Sequence, residues 1–577
     1  MRFSQVLANF AAMEKLEMTT DKNSCRILVE ILQKHGVREA VISPGSRNAP
    51  IIVALTACPG IKKTVIVDER SAAFVALGKA SILNEPVVLV CTSGTALLNY
   101  APAVAEAYYR NLPLVVVSAD RPMEWIDQDD SQTLRQFEAL AHYVKRSYNL
   151  PAPCESAAAE WYVNRVVNDA MINCMSGRRA PVHINVQLDA PLNGFREICA
   201  GRWTERTIEM FEPELRLADA GRLAEFFSLD KKVLVIGGFH DPSDRLSAAL
   251  ESLAGRGNAA VMVETISNLR SPLFIDDIDA TLSSMSESEL EEMRPDVVVT
   301  FGGAIVSRFV KAYLRKSPAL RHVHVGLTDN TVDCFQQLTM RIPMCASDFF
   351  PQLVGLLPES EKSDLGYRDM WDRYADRGRG RHAEYVRSAP WSDLKAMDFV
   401  MSHLPGGCAL QLSNGTSVRY AQLFPSVQTA RSDCNRGVSG IDGCTSTAIG
   451  AATAFDGMTV LVTGDMCAQY DMGAFALPCI PRNFKMVVLC NGGGGIFRFI
   501  SSTSSLPQLE DYFAVPRPFP LRELSVAYGF AYFEADSTER LQEVFDEFIG
   551  IASRPAVLAL RTPPELSAEI LKGYFRQ

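Results

Sequence analysis

Gly464-Asp465-Met466-Cys467-Ala468-Gln469-Tyr470-Asp471, running on to Val487-Val488-Leu489-Cys490-Asn491-Gly492-Gly493-Gly494-Gly495-Ile496-Phe497, is the stretch on which the reading of this chain turns. Just before it, Thr459, Val460, Leu461 and Val462 form an apolar run that reads as a buried strand delivering Asp465 to its end. A helical segment follows, and a second apolar strand over 486–489 delivers Asn491 (491 − 465 = 26 positions on), with glycines directly after it. Such a layout builds a site for a cation and a diphosphate. A hard divalent cation takes oxygen ligands, here the Asp465 carboxylate, the Asn491 amide oxygen and a glycine carbonyl such as that of Gly493. Glycines let the backbone approach phosphates closely, and the strand ends of an open parallel sheet are where such ligands sit. The plainer alternative is a strand, turn and helix in which the Asp caps the helix and the glycines turn the chain.

Outward from this segment, 577 residues correspond to roughly three to four domains at ~150 residues each. Apolar residues make up 47% and charged residues 21%, an ordinary globular balance, and no apolar run is long enough to span a membrane. A net charge of −10 with no basic block argues against nucleic acid or an anionic membrane as partner, so an anionic substrate must be held by locally placed arginines. Fourteen cysteines without a Cys-x-x-Cys pair, several in apolar strands, fit reduced thiols in a cytoplasmic protein. Residues 1–18 read as an N-terminal extension, too acidic and too short in its apolar part for a signal peptide, or as the result of a start placed upstream of Met18.

From residue 23 the pattern alternates. Helices are expected over 24–35, 49–57, 71–81 and 96–110, and strands over 39–43, 63–68, 87–92 and 114–118. Continuous apolar strands between helices imply a parallel sheet covered on both faces. The expected architecture is α/β, three doubly wound parallel-sheet domains, over 19–200, 213–360 and 385–577. Strands of the middle domain are expected at 233–236, 260–264, 297–301 and 322–325; those of the third at 409–413, 460–463, 486–490 and 556–561. The connection 202–216 and the polar stretch 359–387 read as linkers. Gly237-Gly238-Phe239-His240 is not a dinucleotide fingerprint, so no NAD is expected.

Three further segments carry a resemblance. Ile42-Ser43-Pro44-Gly45-Ser46-Arg47-Asn48-Ala49-Pro50 lies at a strand end before a helix, where free N–H groups and Arg47 can meet an anion. Asp68-Glu69-Arg70-Ser71-Ala72 ends the next strand, and Cys434-Asn435-Arg436-Gly437-Val438-Ser439-Gly440-Ile441-Asp442-Gly443 opens a helix in the third domain. With Ser118-Ala119-Asp120-Arg121-Pro122 and Gln132, these segments resemble the thiamine diphosphate-dependent enzymes, and within them the 2-succinyl-5-enolpyruvyl-6-hydroxy-3-cyclohexene-1-carboxylate synthase family of menaquinone biosynthesis. The resemblance runs from about residue 19 to the C-terminus and is looser in the middle domain.

What the resemblance implies is specific. Thiamine diphosphate is the cofactor with Mg2+ (or Mn2+), and the first and third domains bind its pyrimidine and diphosphate ends. Glu69 matches the catalytic glutamate that shares a proton with the aminopyrimidine ring. Gly464 and the metal ligands Asp465, Asn491 and Gly493 hold the diphosphate, Ile441 props the cofactor in its bent shape, and Ile496 with Phe497 forms an apolar wall. Ser46, Arg47, Arg121, Gln132, Arg308, Arg419 and Arg436 match substrate contacts. The implied reaction decarboxylates 2-oxoglutarate and adds the succinyl-semialdehyde fragment to isochorismate, in a homodimer or homotetramer whose active sites are shared between chains.

Three positions depart from relatives: Ser307 where some have Lys, Gly415 where some have Ser, and Cys490 where the motif often has a first Asn. Because both substrates are dianions, arginines with their planar forks are the physical requirement. His322 and His324 alternate on a strand with no third ligand and read as structural, and Ser93-Gly94-Thr95 reads as a tight turn and cap. Two other readings stay open at this point. One is a thiamine enzyme of the acetolactate synthase or 2-oxoacid decarboxylase type, and the other is a non-catalytic cofactor-binding protein on the same scaffold.

Overall fold

Strands Val87–Cys91, Leu114–Asp120 and Val182–Gln187 are buried along their whole length, as a sheet covered on both faces requires. The computed structural model describes residues 17–198, 205–211, 214–217, 220–316, 321–358, 362–425 and 428–576. The chain falls into two units, Met1–Glu212 with Leu477–Cys479, and Pro213–Ala476 with Ile480–Gln577.

The first unit holds one six-stranded parallel sheet, in the order Lys62–Val65, Glu39–Ile42, Val87–Cys91, Leu114–Asp120, Val182–Gln187, Ser147–Leu150. The order reverses between Glu39–Ile42 and Val87–Cys91, so the crevice beyond their carboxyl ends is the switch point where an α/β sheet binds ligands. The strand expected over 63–68 stops at Val65, leaving Val67 77% exposed; Glu69 instead opens the helix Glu69–Leu83. Residues 96–110 form two helices, Ala96–Asn99 and Ala101–Arg110, broken ahead of Pro102. Glu17–Thr20 pairs antiparallel with Phe195–Ile198, so Glu17 and Met18, expected in an extension, belong to a ladder; residues 1–16 lie outside the described residues.

The second unit holds two more six-stranded parallel sheets. One runs Phe274–Ile275, Ala259–Val263, Val233–Gly237, Val297–Phe301, Arg321–Val325, Leu338–Ile342, which in chain order is 3-2-1-4-5-6, the dinucleotide-fold order without the glycine fingerprint. The other runs Arg431–Cys434, Ala409–Leu412, Thr459–Gly464, Phe484–Cys490, Ala556–Arg561, Ala531–Ala535, repeating the order of the first unit's sheet. Ile266 and Val306, in the turns that follow Ala259–Val263 and Val297–Phe301, sit in the same apolar core as Leu410, Val460 and Val487 from the second sheet, which ties the two halves of this unit together.

Most of the stretch 359–387, read from its charges as a linker, belongs to a 22-residue helix, Tyr367–Ser388. Its charged residues are the solvated face. Tyr367, Trp371, Ala375 and Gly378 recur at three- and four-residue spacing on the buried face, packed against Ile278–Ser283. The arginine connection 202–216 lies partly outside the described residues.

Candidate active site

In the third sheet, Thr459–Gly464 and Phe484–Cys490 are neighbours with Gly464 opposite Leu489, so their ends present Asp465 and Asn491 side by side. Asp465 is 9% exposed. Its carboxylate accepts from the Met466 N–H at 2.7 Å, the Gly492 N–H at 2.9 Å and the Gly493 N–H at 3.1 and 3.3 Å. Burial pushes its carboxyl up to about 6, the three N–H groups pull it back down, and nearby Asp393 adds a further upward push. A divalent cation would supply the positive charge that this buried carboxylate lacks.

Asn491 donates its side-chain N–H to Asp393 Oδ2 at 2.7 Å, and no described residue donates to its Oδ1. The Gly493 carbonyl accepts from the Gly495 N–H at 2.6 Å and keeps a second lone pair. One carboxylate, one amide oxygen and one carbonyl make a hard-oxygen donor set, which fits Mg2+ or Mn2+. Consistent with that, among the described residues no group of three His, Cys, Asp or Glu side chains could hold a metal. Gly492 and Gly493 have φ of 77° and 110°, the left-handed region that suits glycine. Ile496 and Phe497, both half-buried, follow, with the Phe497 ring 5.8 Å from that of Phe513.

Ile441 lies in the loop between Arg431–Cys434 and the helix Cys444–Ala454; of the segment 434–443, expected to open a helix, Cys434 ends the strand and the rest is that loop, leading into the helix. Asn414, at the end of Ala409–Leu412, fixes the loop by donating to the carbonyls of Asn435 (2.5 Å) and Gly440 (2.7 Å), while Arg436 donates to Asn414 Oδ1 at 3.1 Å. The Cys467 thiol donates to the Ile441 carbonyl at 2.9 Å. This loop and Asp465 flank the switch point of the third sheet.

Arg308, Arg419 and Arg436 gather in the same unit. Burial brings the Arg419 guanidinium down to about 10, and the like charges of Arg308 and Arg436 add to the shift. Ser307 caps the helix Arg308–Arg315 through the Val310 N–H and is 1% exposed, its hydroxyl donating to Asp279. Buried Glu264 accepts from the Val306 N–H (2.8 and 2.9 Å) and the Ser307 N–H (2.7 Å), setting the start of that helix. Arg419 reaches the Val306 carbonyl at 3.5 Å, and Lys311 donates to that of Ile305 at 2.6 Å.

The first unit carries the other expected residues. Glu69 is half-buried at the first helical position, next to Asp68, which caps the helix by accepting from the Arg70 and Ser71 N–H groups. Ser46 is exposed, and Arg47 donates to the Leu188 carbonyl at 2.9 Å. Burial and then the Arg121 charge lower the Arg47 pKa, so the two form a cationic pair, faced by Asp130 at 2.5 Å from Arg121. Gln132, at φ +55°, donates to the Ser93 carbonyl at 3.1 Å. Gly94 turns the chain at φ +87°, but Thr95 makes no side-chain cap. His322 and His324 both bond Thr300, as structural histidines do.

Sequence reasoning missed Asp393, Asn414 and Glu264. Each acts through a neighbour 21 to 98 positions away and follows no motif spacing, so only the folded chain brings the pairs together.

The family described as "Thiamine pyrophosphate enzyme, N-terminal TPP binding domain" matches residues 23–139. Across nearly its whole length the chain is similar to proteins named 2-succinyl-5-enolpyruvyl-6-hydroxy-3-cyclohexene-1-carboxylate synthase. That of Porphyromonas gingivalis is 39% identical, covering 96% of this chain and 97% of the relative. Those of Flavobacterium johnsoniae (36%, covering 95% and 98%) and Bacteroides thetaiotaomicron (34%, covering 97% and 99%) are similar over comparable spans.

Proposed function

Because the chain belongs to the 2-succinyl-5-enolpyruvyl-6-hydroxy-3-cyclohexene-1-carboxylate synthase family, we propose that it decarboxylates 2-oxoglutarate and joins the remaining four-carbon unit to isochorismate, releasing CO2, as a transferase of menaquinone biosynthesis. The observation that carries this reading is the pairing of Asp465 and Asn491 at adjacent strand ends, with the glycine run behind them and the arginine set in the same unit.

Thiamine diphosphate, when bound, supplies a nucleophilic carbon able to attack a 2-oxo acid and hold the negative charge left by decarboxylation. The protein's part is to bind, orient and move protons. Asp465, Asn491 and the Gly493 carbonyl would hold Mg2+ or Mn2+ against the diphosphate, with Gly464 and the glycines leaving room for it. Ile441, Ile496 and Phe497 would wall the ring system. Glu69 would exchange a proton with the aminopyrimidine. Ser46, Arg47, Arg121, Gln132, Arg308, Arg419 and Arg436 would hold the substrate carboxylates, two per substrate, in a chain of net charge −10.

Glu69 belongs to the first unit, Asp465 and Asn491 to the second. The proposed enzyme is a homodimer or homotetramer in which Glu69 of one copy serves the Asp465 site of another. The pyrimidine-binding, central and diphosphate-binding regions are proposed over 19–200, 213–360 and 385–577, each range containing one six-stranded sheet. Among the described residues no helix is long and apolar enough to cross a membrane; that nucleic acid is not a partner, argued from the net charge of −10, and a cytoplasmic location are proposed with the rest.

Steady-state assays test the reading. Turnover of isochorismate with 2-oxoglutarate, dependent on thiamine diphosphate and Mg2+, is expected. Turnover of pyruvate alone would move the chain to the acetolactate synthase or decarboxylase type, and absence of Mg2+-dependent cofactor binding would make it a non-catalytic protein.

A further inference from the structure

Asn491 can serve a cation only through its oxygen, and an unrestrained side-chain amide presents its NH2 end about as readily as its oxygen. In the fold that choice is made by a residue 98 positions away. Asp393, 2% exposed at the start of the helix Asp393–Ser402, accepts the Asn491 N–H on Oδ2 at 2.7 Å and the Thr562 hydroxyl on Oδ1 at 2.5 Å. Its own N–H donates to Ser567 Oγ at 3.1 Å. Thr562 follows Ala556–Arg561 and holds the carboxylate, while Ser567 on Pro564–Tyr574 holds the Asp393 backbone. With Nδ2 committed to Asp393, the Asn491 oxygen is the end left free of any described donor.

We infer that Asp393 is a positioning residue of the cation site. By accepting the Asn491 N–H in a dry pocket, it locks the amide with its oxygen toward the cation. The inference rests on the proposed reading of Asp465 and Asn491 as Mg2+ ligands. Partners that orient a metal ligand from behind commonly change metal affinity by roughly 10–100-fold when removed.

Substitution by exchange is decisive because the hydrogen-bond logic is directional. In Asp393→Asn, an amide oxygen that keeps the Thr562 proton leaves its NH2 facing that of Asn491, which turns the Asn491 NH2 to the cation; an amide turned the other way still accepts from Asn491 but without the charge that makes the bond strong, so the hold on the Asn491 oxygen weakens either way. In the double variant Asp393→Asn with Asn491→Asp, the donor and acceptor simply trade places and an oxygen again faces the cation. The measurement is calorimetric titration of Mg2+ into full-length protein at saturating thiamine diphosphate without substrate. Unfolding midpoints of the cofactor-free proteins are recorded alongside. At least a ten-fold loss of Mg2+ affinity in Asp393→Asn is expected, recovered to within about three-fold in the double variant. Thr562→Val, which loosens Asp393 without replacing it, should lose less. Unchanged Mg2+ affinity in Asp393→Asn, or a loss the double variant does not recover, would overturn the inference. Wild-type protein that binds no thiamine diphosphate with Mg2+ would instead defeat the reading beneath it.

Discussion

Gly493 reaches across two strand ends to donate its N–H to both carboxylate oxygens of Asp465, at 3.1 and 3.3 Å. It does so at φ +110°, and a Cβ there would stand 2.3 Å from the Ala514 carbonyl oxygen. Gly493→Ala should therefore cost about 1–3 kcal/mol in backbone strain alone and sharply weaken thiamine diphosphate binding. Gly464, with φ −90° and nothing near its absent Cβ, should accept Ala with little change in stability. Urea unfolding and cofactor titration of the two variants check this; equal behaviour would contradict it.

Three like charges stand together at Arg308, Arg419 and Arg436, and Arg419 is half-buried among them. Asp279 and Glu264 offset part of their repulsion, and a substrate carboxylate would offset more. Arg419→Met should raise KM for a carboxylate substrate roughly 10–100-fold, the effect of about 1.5–3 kcal/mol for a charged hydrogen bond, and leave thiamine diphosphate affinity alone. Steady-state kinetics at two salt concentrations separate this from a folding defect, because the wild-type KM should rise with salt more steeply than the variant's.

Burial pushes the Glu264 carboxyl up to about 7, against the downward pull of the Val306 and Ser307 N–H groups, with Asp279 adding a smaller upward push. Its folded pKa lies above the value near 4.5 of an unburied glutamate, so its stabilising contribution is complete below pH ~4.5 and is lost as pH rises through 7. Glu264→Gln should flatten the decline in unfolding free energy between pH 4.5 and 7. A glutamine oxygen can still accept from both N–H groups that now meet Oε1. Matching pH slopes in the two proteins would count against it.

Along Tyr367–Ser388, two glycines should respond to alanine with opposite signs. A Cβ on Gly378 would lie 2.9 Å from the Thr281 backbone, whereas Gly380 has open space. Gly378→Ala should destabilise by about 1–3 kcal/mol through overpacking, and Gly380→Ala should stabilise by roughly 0.5–1 kcal/mol through helix propensity. Thermal unfolding decides, and a shared sign would remove the close helix crossing.

Most central strands were legible from residues alone because their apolar runs have no other way to be buried, as at Val87–Cys91, Val297–Phe301 and Phe484–Cys490; central Val182–Gln187 was not, because His183, Asn185 and Gln187 interrupt its apolar run. Edge strands were harder. Arg431–Cys434 and Ser147–Leu150 carry polar residues, and Leu338–Ile342 is half-exposed, so no apolar run marks them. Tyr367–Ser388 was hidden by its arginines and aspartates, although Tyr367, Trp371 and Ala375 already had helical spacing. At the site, Asp465, Asn491 and the glycines are readable because they follow strands directly. Asp393 and Asn414 are not, since their roles exist only as contacts made by the fold.

The most direct test of the account is complementation between Glu69→Gln and Asp465→Asn, co-expressed with two tags and purified together. Each variant alone should be nearly inactive. If Glu69 of one chain serves Asp465 of another, each mixed dimer selected through both tags holds one intact site of two, so roughly half of the wild-type activity should return, with thiamine diphosphate and Mg2+ both required. No activity in mixed assemblies, or near-normal turnover by either variant alone, would contradict it.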